Sequence, residues 1–177
     1  MSRFYNHRAR LRCYIHDMNL RALTVTAICL ILSIDLLAQT KKETAKMTLA
    51  TGTFEVKISP QSEDKGEGST LGRMSLDKQY HGDLDAVAKG EMLYASSVDV
   101  QGSGSYVAVE RVTGKLHGKS GSFALAHKGT MSGGKQQMDI NIVPDSGSGE
   151  LTGISGAMKI IITADGKHSY ELEYTMP

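Results

Sequence analysis

The sequence predicts an all-β protein whose main domain, residues 47–177, is an eight-stranded antiparallel β-barrel preceded by an N-terminal signal segment. After residue 46, short runs of alternating apolar and polar residues are separated by turns rich in Gly, Ser, Asp and Asn. No long segment has a helical period. An even number of up-and-down strands with internal glycines favours a closed barrel, which leaves no exposed edge strands. A two-sheet sandwich is the alternative that the same pattern allows.

The N-terminal region has the layout of a secretory signal peptide. Residues 18–38 combine a basic Arg21, an apolar stretch and a small Ala38 before polar residues. We expect cleavage after Ala38, a linker over residues 39–46, and an exported, periplasmic or secreted, mature protein. The alternative is an uncleaved anchor, although Asp35 interrupts an apolar run that is short for a span of about 20 residues. Since Met18 stands where the signal begins, we interpret residues 1–17 as a gene-model extension.

Charge and cysteine content restrict the classes of function. The formal net charge of the chain is +1, which gives no electrostatic footprint for nucleic acid. Both cysteines, Cys13 and Cys29, precede residue 39, so the predicted domain has no thiol for a disulfide, a nucleophile or a zinc site. The histidines are scattered without metal-ligand spacing, and no phosphate-binding loop is present. We therefore predict no cofactor, no metal site and no nucleic-acid partner.

Turn residues divide the predicted domain into strands. We place these strands at residues 47–59, 68–80, 83–97, 106–116, 121–131, 136–143, 150–163 and 167–176. Pro60 ends the first strand, and residues 61–65 are expected to form a charged loop. Gly153 and Gly156 fall within the long seventh strand and indicate bulges or bends. Asp165-Gly166 is a strong hairpin signal before the last strand.

The hairpin over residues 106–131 is the most informative part of the chain. With His117-Gly118-Lys119-Ser120 as its turn, Glu110 is expected directly opposite His127. The pair would share the inner face with apolar and aromatic residues, among them Tyr106, Phe123 and Leu125. A carboxylate and an imidazole are costly to bury, so this pair is a candidate functional site. The alternative is a mutually satisfied structural pair that fixes the register of the strands.

The following hairpin predicts the same inner face independently. With a turn at residues 132–135, Ile140 is expected opposite His127 and Ile142 opposite Leu125, while Asp139 and Asn141 point outward. A slip of one residue would invert this pattern, so the agreement of the two hairpins supports the assignment of faces.

Several gapless motifs resemble a known family. YVAVERVTGKLHGKSGSFALAHKGTM, NIVPDSGSGELTGISGAMKI and DGKHSYELEYTMP closely resemble a bacterial family catalogued as a domain of unknown function. The resemblance covers residues 47–177 and implies a small antiparallel barrel similar to that of plant allene oxide cyclase. It assigns no role to Glu110 or His127, and cyclase chemistry would rest on fold-level analogy alone.

Three hypotheses about function follow from this sequence. The first is a binding protein that holds a small, mainly apolar ligand, with Glu110, His127, Tyr106, Phe123 and Leu125 as ligand-binding residues. The second is an isomerase or cyclase-like enzyme that acts on a lipid-like substrate. The third is a side-chain-filled barrel with a structural or assembly role, for example in a homodimer. We expect no membrane partner after cleavage of the signal.

Overall fold

A computed structural model describes residues 46–177, and this part of the chain is built from antiparallel β-strands. The strands are β1 (Thr48–Lys65), β2 (Ser69–Gly82), β3 (Leu84–Ser97), β4 (Gly104–Leu116), β5 (Lys119–Ser132), β6 (Lys135–Ile142), β7 (Ser148–Gly149), β8 (Ser155–Ile162) and β9 (His168–Thr175). No helix within the described range is long and apolar enough to cross a membrane. The predicted extension (1–17) and signal peptide (18–38) lie outside the described residues.

Eight of these strands close into a barrel. Each long strand pairs with its neighbours in the order β4-β3-β2-β1-β9-β8-β6-β5, and β4 pairs with β5 to complete the circle. The two-residue strand β7 adds to the edge of β5 through Gly121 and Ser122. The predicted all-β class and closed eight-stranded antiparallel barrel are therefore confirmed.

The interior is densely packed at one end, which we call the closed end. The turn between β2 and β3 and the turn between β4 and β5 both lie there. Large apolar and aromatic side chains that are almost fully buried fill this end, namely Leu84, Leu116, Leu151, Ile154 and Tyr170. The hydroxyl of Tyr170 accepts a hydrogen bond from the backbone N–H of Leu84 at 2.8 Å, so the aromatic plug also satisfies a buried donor.

The register of the β4–β5 hairpin differs from the prediction by two residues. His117 and Gly118 alone form the turn, with φ values of 47° and 81°. Positive φ at both central positions matches the twist of a two-residue hairpin loop. Glu110 therefore pairs with Leu125, and His127 pairs with Ala108. Because a shift of two residues keeps each side chain on the same face, the predicted inner face is retained.

The β5–β6 hairpin has the predicted register. His127 pairs with Ile140, Leu125 pairs with Ile142, and Gly129 pairs with Met138. Ile140 and Ile142 are buried, while Asp139 is exposed, so the inward and outward assignment of this hairpin is confirmed.

The predicted seventh strand over residues 150–163 is wrong in its first part. Residues 150–153 form a turn, and the strand proper, β8, begins at Ser155. The Glu150 carboxylate accepts a hydrogen bond from the N–H of Ser120 at 2.8 Å, and Glu150 N–H donates to the carbonyl of Ser120 at 2.9 Å. Gly153 has a φ of 81°, so it serves the turn and not a bend within a strand.

The first strand extends beyond its predicted end. β1 continues through the predicted charged loop to Lys65, with an irregularity in its pairing between Pro60 and Ser62. Since proline has no N–H to donate, a bulge at this point lets the strand resume its pairing with β2. β9 pairs with β1 only as far as Phe54, so the last part of β1 extends past β9. At the end of the barrel opposite the closed end, the strands therefore differ in how far they extend. We call this end the mouth.

Candidate functional site

Glu110 is the most deeply enclosed charged residue of the described chain, with 2% of its surface exposed. It points inward from the middle of β4, between Gly90 on β3 and Leu125 on β5. A Cβ atom added to Gly90 would lie 2.6 Å from the Cβ of Glu110. The absence of a side chain at Gly90 therefore leaves space for the side chain of Glu110.

Three polar side chains surround the carboxylate, and with Glu110 they form what we call the charge cluster. The ammonium of Lys78 lies 2.9 Å from each carboxylate oxygen. The hydroxyl of Tyr80 donates to Oε1 at 3.0 Å, and Nε2 of His127 lies 3.2 Å from the same oxygen. Sequence reasoning had placed Glu110 and His127 together, and the structure brings them into contact along a diagonal of the sheet.

The second carboxylate oxygen has a different environment. Lys78 Nζ is equally close to Oε2, but only its contact with Oε1 has the geometry of a hydrogen bond. Among the described residues, Glu110 Oε2 is the one fully enclosed side-chain polar atom that lacks a hydrogen-bond partner. The ammonium of Lys78 therefore compensates the charge on Oε2 by attraction at 2.9 Å, without a directed hydrogen bond to this oxygen.

The charge cluster shifts the proton equilibria of its members. Burial by itself raises the pKa of Glu110, but the hydrogen bond from His127 and the attraction of Lys78 outweigh it, so this pKa lies below its usual value. Burial, followed by the neighbouring charge of Glu110, raises the pKa of Tyr80 well above that of a free phenol. Glu110 is therefore ionised and Tyr80 is a hydrogen-bond donor at neutral pH.

Sequence reasoning missed Tyr80 and, with more consequence for the charge of the site, Lys78. Lys78 lies on β2 with only 6% of its surface exposed. Its ammonium also lies 5.2 Å from the centre of the Phe54 ring, a cation–π distance. The signal was present in the sequence, because Leu76, Lys78 and Tyr80 alternate with polar residues and so share the inward face.

The barrel has an open pocket at its mouth, which we call the mouth pocket, with a volume of about 470 Å³. Methionine and tyrosine side chains line one part of it, namely Met74, Met92, Met131, Tyr94 and Tyr106, and residues 95–98 and 101–105 around the connection from β3 to β4 line the rest. The ring of Tyr106 packs so closely over Gly129 that an added Cβ there would lie 2.0 Å from a ring carbon. Glycine at this position therefore lets the aromatic ring lie against the wall of the pocket.

Tyr106 is the one predicted ligand-binding residue that lines this pocket. Burial, and then the charge of Glu110, raise the pKa of Tyr106 above its usual value, so its hydroxyl keeps its proton. Phe123 and Leu125, 1% and 0% exposed, belong to the packed core instead.

The mouth pocket and the charge cluster are adjacent layers of one interior. Met74 pairs with Met92, Met92 with Ala108, and Ala108 with His127. These four residues form a continuous inward-facing row across four strands. The deep methionines of the pocket therefore share a layer with His127, and Glu110 lies one layer further in.

No cluster of three or more His, Cys, Asp or Glu suited to a metal ion occurs within residues 46–177. The candidate site combines the ion pair of Lys78 and Glu110 with the adjacent mouth pocket.

Comparison with known proteins agrees with this architecture. The chain resembles a crystal structure of a protein with unknown function from the DUF3224 family of Shewanella oneidensis MR-1, with 46% sequence identity and a TM-score of 0.69. The match covers 75% of this chain and 99% of that one. No functionally curated protein matches the chain. The family described as "Protein of unknown function (DUF3224)" matches residues 50–174, and the chain belongs to this family.

Proposed function

We propose that this protein binds a small, mainly apolar molecule in the mouth pocket. The observation that carries the proposal is an apolar pocket of about 470 Å³ that opens directly above a buried polar cluster. Pockets for small ligands usually measure about 300–1,000 Å³ and combine an apolar lining with a few polar groups. The mouth pocket fits both criteria.

The lining of the pocket suits apolar ligands of variable shape. Met74, Met92 and Met131 contribute flexible, polarisable thioethers, which adapt to irregular apolar surfaces. The hydroxyl of Tyr106 makes no hydrogen bond to another described residue, so it is available to orient a polar atom of the ligand.

The position of Glu110 favours binding over isomerase or cyclase chemistry. A catalytic carboxylate must come within hydrogen-bond reach of its substrate. The side chain of Glu110 is 0% exposed, and it lies behind the layer that forms the floor of the pocket. Glu110 therefore contacts the residues beneath the pocket and does not line the pocket itself.

The proposal can be tested with the neutral fluorescent ligand N-phenyl-1-naphthylamine, whose emission rises in apolar sites. The chain has no tryptophan, so Met92→Trp both fills the pocket and introduces a single reporter. We expect saturable binding to the wild-type protein and at least tenfold weaker binding to Met92→Trp. The matched control is Leu93→Trp, because Leu93 is the next residue on β3 and is 57% exposed on the outer surface. Equal binding by both variants would refute a site in the mouth pocket.

We also propose that the barrel acts outside the cytoplasm, on the basis of the signal-like residues 18–38. Expression of the full chain in a bacterial host should give a mature protein whose first residue is Gln39. Peptide mapping of the fractionated cells would measure this, and peptides from residues 18–38 in the folded product would contradict it.

A further inference from the structure

The hydrogen bonds of the charge cluster determine the proton position on His127. Glu110 lies 2.9 Å from the Lys78 ammonium and is a carboxylate, which can only accept hydrogen bonds. The contact of 3.2 Å between Nε2 of His127 and Oε1 of Glu110 therefore requires a proton on Nε2. The imidazole donates through this nitrogen.

A neutral imidazole ring fits the charge balance of the cluster. Lys78 already supplies one positive charge for the single negative charge of Glu110. The side chain of His127 is only 4% exposed, so a second positive charge would give this buried cluster a net charge. A neutral ring with a proton on Nε2 has a lone pair on Nδ1, which makes Nδ1 an acceptor.

Nδ1 of His127 has no hydrogen-bond partner among the described residues. Its own strand neighbours are apolar across the sheet, with Ala108 on one side and Ile140 on the other. His127 also belongs to the row of residues that contains the pocket-lining Met92 and Met74. Since Glu110 Oε2 is the one fully enclosed side-chain polar atom without a partner in the described chain, the unpartnered Nδ1 is not fully enclosed, and it lies at the level of the pocket floor.

We propose that the molecule bound in the mouth pocket carries a hydroxyl group, and that this hydroxyl donates a hydrogen bond to Nδ1 of His127. The inference rests on the proposed function and names the ligand class, a neutral apolar alcohol. The hydroxyl of Tyr106 is suited to donate to the same ligand oxygen, because an alcohol oxygen both donates and accepts. An ether offers no donor to His127, and neither does an ionised fatty acid.

Three ligands of matched length test this assignment on the wild-type protein. Decanol, methyl nonyl ether and decanoate would each displace N-phenyl-1-naphthylamine at neutral pH. One buried hydrogen bond contributes about 1 kcal/mol, so we expect decanol to bind at least about fivefold more tightly than the ether. Decanoate should be no stronger than the ether. Equal affinities for decanol and the ether would overturn the inference but leave the proposed function standing, whereas failure of all three ligands and the dye would overturn both.

A histidine variant links the preference to one atom. In His127→Phe, we expect decanol and the ether to bind equally, because the ring keeps its size and loses Nδ1. His81→Phe is the matched control, since His81 contacts Glu55 at 2.8 Å in an equivalent histidine–glutamate pair on the exposed outer surface. A decanol preference that persists in His127→Phe would refute the assignment.

Nitrogen NMR of the wild-type side chains keeps the test independent of variant folding. The His127 ring should show a protonated Nε2 and an unprotonated Nδ1 at neutral pH. Decanol should shift the Nδ1 resonance in the direction of hydrogen-bond acceptance, and the ether should leave it unchanged. A proton on Nδ1 in the ligand-free protein would contradict the proposal directly.

Discussion

The ion pair between Lys78 and Glu110 allows a quantitative test of the energetics of the barrel interior. Lys78→Met removes the ammonium and keeps an unbranched side chain of similar length. The two side chains are 6% and 0% exposed, so the carboxylate is left as a buried charge without its main partner. Breaking such a pair costs about 3–5 kcal/mol. The total stability of a domain is about 5–15 kcal/mol, so the variant should unfold at a markedly lower urea concentration.

A second substitution tests whether this cost comes from the unpaired charge. In the double variant Lys78→Met/Glu110→Gln, no buried charge remains, and the Gln amide oxygen is still able to accept from Tyr80 and His127. We expect the double variant to recover about 2 kcal/mol or more of the stability lost in Lys78→Met. Strictly additive losses would refute the reasoning, because they would mean that the two groups are not coupled.

The assay is urea denaturation followed by circular dichroism at pH 7 and at about pH 4. In the wild-type protein the pKa of Glu110 is depressed below its usual value by His127 and Lys78, although burial opposes this. Its stabilising contribution is therefore present above the unfolded-state pKa and is lost as pH falls through the folded-state pKa. Without Lys78, one of the two groups that lower the pKa of Glu110 against the effect of burial is lost, so the carboxyl takes up a proton at a higher pH. The difference between wild type and Lys78→Met should consequently be smaller at about pH 4 than at pH 7.

An exposed ion pair on the same barrel gives the matched control. Lys159 and Glu171 lie 3.6 Å apart on the outer surface, with side chains 70% and 44% exposed. Lys159→Met should change the free energy of unfolding by less than about 1 kcal/mol, because solvent screens the pair. A loss as large as that of Lys78→Met would show that burial is not the deciding factor.

Two further substitutions test the ends of the barrel. Tyr170→Phe should reduce the free energy of unfolding by about 1–3 kcal/mol, because it leaves the buried N–H of Leu84 without an acceptor, whereas Tyr94→Phe, which removes only an exposed hydrogen bond, should cost less than about 0.5 kcal/mol. Thermal and urea unfolding of the two variants would compare them, and equal losses would count against the proposed plug. Gly129→Ala should destabilise the protein by about 1–3 kcal/mol, since its Cβ would lie 2.0 Å from the ring of Tyr106. The same substitution in a Tyr106→Ala background should be much less costly, and an unchanged cost would show that the ring is not what it meets.

The alternation of side chains explains how much of the fold the sequence predicts. The apolar residues Ile140 and Ile142 identify the inner face of β6, and the turn before them identifies the register. Alternation has a period of two, so it cannot distinguish registers that differ by two residues. For β4 and β5 the deciding feature was the two-residue turn at His117-Gly118, which lacks the Asn-Gly or Asp-Gly sequence typical of such turns. The correct face was therefore predicted together with the wrong partner for Glu110.

Lys78 was harder to find because its partner is remote in sequence. Lys78 and Glu110 are 32 residues apart and lie on strands separated by β3. A lysine within an alternating strand resembles an outward-facing residue, unless the alternation is counted from Leu76 and Tyr80 on either side. Across a closed barrel, side chains from non-adjacent strands meet in the interior. Local pattern therefore predicts which face a residue occupies, but not which charge it meets there.

The charge cluster separates two halves of the interior that differ in packing. Towards the closed end, Tyr170, Leu84 and Leu116 leave little space, and each is no more than 1% exposed. Towards the mouth, the deep methionines Met74 and Met92 border an open pocket in the layer of His127. The charge cluster is compatible with both of the roles weighed from the sequence, because its ion pair fixes strands on one side and its His127 lies at the level of the pocket floor on the other. The structural role predicts a loss of stability in Lys78→Met, and the ligand role predicts a loss of alcohol preference in His127→Phe. Since the two measurements are independent, the cluster can be assigned one role, the other, or both.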